Sequence, residues 1–111
     1  MDTIVSERCA AIVADTGLEN DPVRGIDWIL IATLILPMLF DMPCFAGKTP
    51  EQQRKYIEKN PNLARAMAAR KARQANRNIT KEESFKLADS TIESFLVASE
   101  AEIRAFRGTE S

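Results

Sequence analysis

Apolar positions along this chain recur at helical spacing, strand-type alternation is absent, and helix caps and stops are frequent, so helices are predicted throughout. A first helix is predicted over residues 3–16, with Asp2 as its cap and Gly17 as its stop. Ile4, Val5, Cys9, Ile12 and Val13 fall on one side of it and give it a face to bury. A turn-rich stretch, GLENDPVRG, leads to the longest apolar run, WILIATLILPMLF, from Trp28 to Phe40. Either Asp21 before Pro22 or Asp27 before Trp28 can start the helix that contains this run. Pro37 must kink or end it, and Pro43 disfavours helical geometry at Met42, so a break is expected near Asp41 to Gly47.

Three further starts are marked by their caps. Thr49 with Pro50 and Gln52 opens a short helix to about Lys59, and Asn60 with Pro61 opens an alanine-rich helix ending near Asn76 to Asn78. Thr80 with Glu83 opens a last helix, read as running to about Arg107 before Gly108. On it, Phe85, Ala88, Ile92, Phe95, Leu96, Ser99, Ile103 and Phe106 fall within an arc of about 100°. That stripe follows 3.6 rather than 3.5 residues per turn, and Ser99 and Glu102 interrupt a strict heptad, which favours packing on a globular core over an extended coiled coil. The expected fold is all-α: one domain over residues 1–111, a bundle of about five helices. Its centre is a Pro-kinked apolar helix at about 26–41, and a long amphipathic helix closes the chain at about 81–107.

The apolar run admits two environments. Its thirteen residues, without a charge, span about 20 Å as a helix, short of the roughly 30 Å hydrocarbon layer, and this favours a helix buried on all sides in a protein core. Continuing to Ala46 gives nineteen residues but places Asp41, Pro37 and Pro43 inside the span. The alternative is insertion of residues 26–46 into a membrane, with Trp28 at an interface and Lys48, Arg54, Lys55 and Lys59 on the cytoplasmic side. The amino-terminal stretch has acids where an export signal needs a basic start, so a cytoplasmic location is expected.

Composition adds little to this picture, but charge placement adds much. Hydrophobic residues make up 45% of the chain and charged residues 28%, which argues against wholesale disorder. Cys9 and Cys44 lie far apart and form no CxxC pair, so free buried thiols are expected. The near-neutral total of −1 conceals three blocks: residues 1–47 carry two basic and seven acidic groups, residues 48–81 ten and two, and residues 82–111 three and seven. Net charges of −5, +8 and −4 follow. A basic face of this kind meets nucleic acid, a membrane surface or an acidic protein, or is compensated by the acidic helices beside it.

Within the basic block, Arg70, Arg73 and Arg77 share one side of their helix, while Ala64, Ala68, Ala72 and Ala75 form an opposite side of small residues that can dock closely on a neighbour. Arg70, Arg73 and Arg77 are therefore the candidate contacts for a polyanion or partner, because a guanidinium suits bidentate phosphate contacts. No aromatic lies close to them in sequence, so base stacking is poorly served, and Asn76 and Asn78 could equally read bases or end a helix.

Enzyme chemistry has little to work with. There is no histidine to act as general base or metal ligand, and none of the four glycines belongs to a phosphate-cradling loop. Glu82 and Glu83 stand side by side where acids suit a helix start. No catalytic residue, metal, cofactor or small-molecule substrate is expected. The expected function is that of a non-enzymatic interaction or assembly protein with a protein partner or self-association, touching a polyanion through its basic helix. A membrane-anchored subunit and a nucleic-acid-binding accessory factor are the alternatives.

Overall fold

The capping signals and the apolar stripes form the helices expected of them. A computed structural model describes residues 3–40 and 47–107, which form six helices: α1 (Thr3–Thr16), α2 (Trp28–Phe40), α3 (Pro50–Lys59), α4 (Pro61–Ala75), α5 (Lys81–Val97) and α6 (Glu100–Arg107). The expected roles of Asp2, Asp41, Met42, Pro43, Cys44 and Gly108 lie outside the described residues. Both Thr caps act as read: Thr49 Oγ1 accepts the Gln52 N–H, Thr80 Oγ1 accepts the Glu83 N–H, and each partner side chain accepts the cap's own N–H. Asp27 starts α2, its carboxylate accepting the Leu30 N–H at 3.2 Å. Gly17 ends α1 at φ +72°, a left-handed conformation that a side chain would strain.

Buried residues from every helix form one cluster, and the radius of gyration of 13.2 Å matches the roughly 13 Å of a compact chain this long. Trp28 lies at its centre rather than at an interface. It is fully buried, and its indole N–H donates to the Glu19 carbonyl at 3.0 Å. No helix among the described residues is long and apolar enough to cross a membrane. Cys9 is a free, fully buried thiol, and burial pushes its pKa up to about 11.

The structure departs from expectation at both apolar helices. Burial of α2 on all sides does not hold. Ile31, Ala32, Ile35, Leu36 and Leu39 are in the core, but Leu30 is 57% exposed and Leu34 45%, with Ile29 beside them. The helix also continues through Pro37. Thr33, whose carbonyl the missing Pro37 N–H would have met, is half-buried on that outer side, so the lost bond falls where solvent can replace it. The helix expected over 81–107 is two. Ser99 Oγ accepts the Glu102 N–H and the Glu102 carboxylate accepts the Ser99 N–H, both at 3.1 Å, a capping box that starts α6 afresh. At the break, the guanidinium of Arg54 donates to the carbonyl of Ala98. Folded back in this way, α6 packs on α1, α2 and α3, and Glu102 pairs with Arg8 of α1.

A side-chain clamp fixes the geometry at the joint between α4 and α5. Residues 21–26 close a turn, with Asp21 and Ile26 exchanging backbone hydrogen bonds at 2.9 Å. From this turn Arg24 reaches Glu83 through two hydrogen bonds of 2.8 Å and Asp21 through one of 2.7 Å. In return, Asn76 and Asn78 donate their side-chain amides to the carbonyls of Gly25 and Arg24, each at 2.9 Å. Of the two roles open to these asparagines from sequence, base contact or the end of a helix, Asn76 takes the second as the C-cap of α4, and both hold this turn.

Two outcomes test this architecture. Ile31→Asp should destabilise the protein by more than about 3 kcal/mol in a urea titration, because it buries an unpaired charge, whereas Leu30→Asp on the outer side should shift stability by less than about 1 kcal/mol. The Arg24 guanidinium holds the Glu83 carboxyl down to about 2, from an ordinary 4.5. A carboxyl whose pKa is lowered on folding contributes stability above its unfolded pKa and loses it as pH falls through the folded one. Thermal stability should therefore decline from about pH 5 towards pH 2, and Glu83→Gln should flatten that decline while keeping the cap.

Candidate functional site

The basic helix α4 docks through its small side. Ala64, Ala68, Ala69 and Ala72 are buried, in a seam shared chiefly with α5 and α2. Ala69 takes the place expected of Ala75, which is exposed at the end of the helix. Alanine keeps the side chains between helices short, so α4 and α5 approach closely and their longer outer residues overhang the seam. The result is a groove of about 410 Å³.

Arg70, Arg73 and Arg77 all line this groove, the first two from α4 and Arg77 from the turn that follows it, whereas the sequence spacing puts all three on one helix face. From α5 come Lys81, Ser84 and Phe85, and Gln74 of α4 completes the polar wall. Among the described residues no carboxylate lines it. The three arginines and Lys81 make no ion pair among the described residues. Elsewhere, arginines are spent on the fold: Arg8 on Glu102, Arg24 on Asp21 and Glu83, Arg54 on Glu51 and the Ala98 carbonyl, Arg65 on Asp89. The acidic side chains of α5 that face α4 and the 21–26 turn are thus neutralised outside the groove, and the groove keeps its own four charges.

Phe85 has a second role that sequence reading missed. It packs against the core as its place in the stripe of the last helix implies, but it is only half-buried and also forms part of the groove wall. The Arg65 guanidinium lies over its ring, 4.2 Å from the centroid, and the Lys81 ammonium 6.0 Å from it. Arg65 is itself held by Asp89 through a hydrogen bond of 2.6 Å. An aromatic surface therefore does accompany the arginines, supplied by the neighbouring helix. The signal was present in the spacing of Lys81 and Phe85, one helical turn apart on the same side.

Size alone does not single out this groove. A second concavity of about 450 Å³ lies where α1 meets the end of α5, but Asp15 and Glu93 share its wall with Arg8, whose charge Glu102 already takes. With Arg8 so paired, its wall is acidic, whereas that of the α4–α5 groove is basic. Among the described residues no three His, Cys, Asp or Glu side chains cluster closely enough to hold a metal ion. The groove offers fixed positive charge, amide and hydroxyl hydrogen bonds and one aromatic ring, a set suited to holding an anionic ligand.

Compared with known proteins, the chain matches no family model, no curated protein and no solved structure.

Proposed function

We propose that this protein is a non-enzymatic binding module whose working surface is the α4–α5 groove and whose ligand is a polyanion. The observation that carries this reading is the convergence of Arg70, Arg73, Arg77 and Lys81 on one concavity with no carboxylate of the described residues in its wall. Four uncompensated cations side by side repel one another, and a bound anion removes that repulsion. Guanidinium groups also offer paired donors that match phosphate oxygens. The acidic blocks on either side of the basic one, at −5 and −4, concentrate positive charge in the segment that carries this groove. An assembly role fits such a module, with the polyanion as the surface it recognises.

The test is a salt-dependent binding titration. The parent protein should bind a labelled nucleic-acid strand at low salt, with log Kd rising linearly with log salt, and Arg70→Ala/Arg73→Ala/Arg77→Ala should weaken binding at least about tenfold and lower the slope by about 2 to 3. No association at low salt in the parent protein overturns the reading.

A protein–protein role has support from a separate observation, the exposed apolar side of α2 at Ile29, Leu30 and Leu34. Contiguous apolar surface of this kind is what self-association buries. In sedimentation velocity the parent protein should form a reversible dimer, and Leu30→Ser/Leu34→Ser should return it to the monomer. A parent protein that stays monomeric at high concentration removes this second reading.

A further inference from the structure

Resting on the polyanion reading of the α4–α5 groove, we infer that the groove is a single-stranded nucleic-acid site in which phosphates lie along Arg70, Arg73 and Arg77 and one base stacks on Phe85.

Three observations lead there. The arginines are strung out rather than gathered round one point: from Arg70 to Arg73 the helix advances about 4.5 Å, Arg77 follows in the turn beyond its end, and a stacked strand presents a phosphate about every 3.4 Å. A row of cations matches a row of phosphates, while a single phosphorylated side chain would use only one or two of them. The concavity of about 410 Å³ is at the small end of ligand sites, enough for one nucleotide and too small for a helix or a duplex groove edge. A duplex keeps its bases stacked inside, so only a single strand can turn a base into it.

The third observation is how Phe85 is held. Asp89 fixes Arg65 at 2.6 Å, and Arg65 lies over the ring at 4.2 Å without itself lining the groove. The ring is thereby held in place, and the part of it that lines the groove, with the Lys81 ammonium 6.0 Å from its centroid, is the platform for a base. Bases stack on such rings with little dependence on sequence, and Gln74 in the same wall provides hydrogen bonds to a base edge or sugar. Of the acids on α5, Glu83 and Asp89 are committed to Arg24 and Arg65, and Glu82 does not line the groove.

Fluorescence anisotropy on the full chain at about 50 mM salt separates this site from general polyanion attraction. The probes are a labelled oligothymidylate of about eight nucleotides, a strand with the same phosphates but abasic sugars, the matching duplex, and a phosphoserine peptide of equal charge. The oligothymidylate should bind at least about fivefold more tightly than the abasic strand, the lower end of what one stacked base contributes. Phe85→Leu, with unchanged helicity and melting temperature, should bring the two strands to the same affinity, and Phe85→Tyr should restore the preference. Equal binding of the oligothymidylate and the abasic strand, tighter binding of the duplex, or equal binding of the phosphopeptide overturns the inference. If the triple arginine variant still weakens binding in that case, the polyanion reading survives without the base site; if no probe binds the parent protein, both fall.

Discussion

The close seam between α4 and α5 is the contact on which the rest of this structure depends. It exists because α4 presents Ala64, Ala68, Ala69 and Ala72 to its neighbours, and side chains of that size let two helix backbones approach without a layer of large residues between them. That approach has two consequences. It brings a basic helix alongside an acidic one, so that Arg65 meets Asp89 and the charge segregation along the chain is partly discharged inside the fold. It also leaves the long side chains at the rim standing over a cleft, and those are the cations that find no carboxylate.

The joint between the two helices is built to hold that cleft open at a set angle. Arg24 takes up Glu83, the acid that starts α5, and Asn76 and Asn78 fasten the preceding residues to the same turn. If Glu83 were not paired with Arg24, its charge would stand beside Lys81 and oppose the groove's field. The clamp therefore serves the fold and the electrostatics together: it gives Glu83 a partner away from the groove while ordering the backbone that carries Arg77 and Lys81.

Much of the fold was legible because helix ends leave unpaired N–H groups that only certain side chains satisfy. Thr49 with Gln52 and Thr80 with Glu83 announced their helices without any tertiary information. The same signal stood at Ser99 and Glu102 and was passed over, because the apolar stripe ran across it at unbroken helical spacing. Local hydrogen bonding prevailed over periodicity there, and one long helix became two, the second packed on α1, α2 and α3. The candidate site was legible only in half. Arg70 and Arg73 share a face of α4 by spacing alone, but Phe85 was hidden by its membership of a stripe most of whose positions face the core.

The linear chain by itself determined the helical class, the start of each capped helix, the segregation of charge into blocks and the face that Arg70 and Arg73 share, since all of these follow from interactions within a few residues. Tertiary structure alone decided which acids reach which arginines, that Asn76 and Asn78 are fasteners, that Trp28 is buried while Leu30 and Leu34 are not, and that Phe85 joins the basic groove. These depend on which helices become neighbours and how closely, and in this chain that distance is set by four small side chains whose effect appears only when another helix is laid against them.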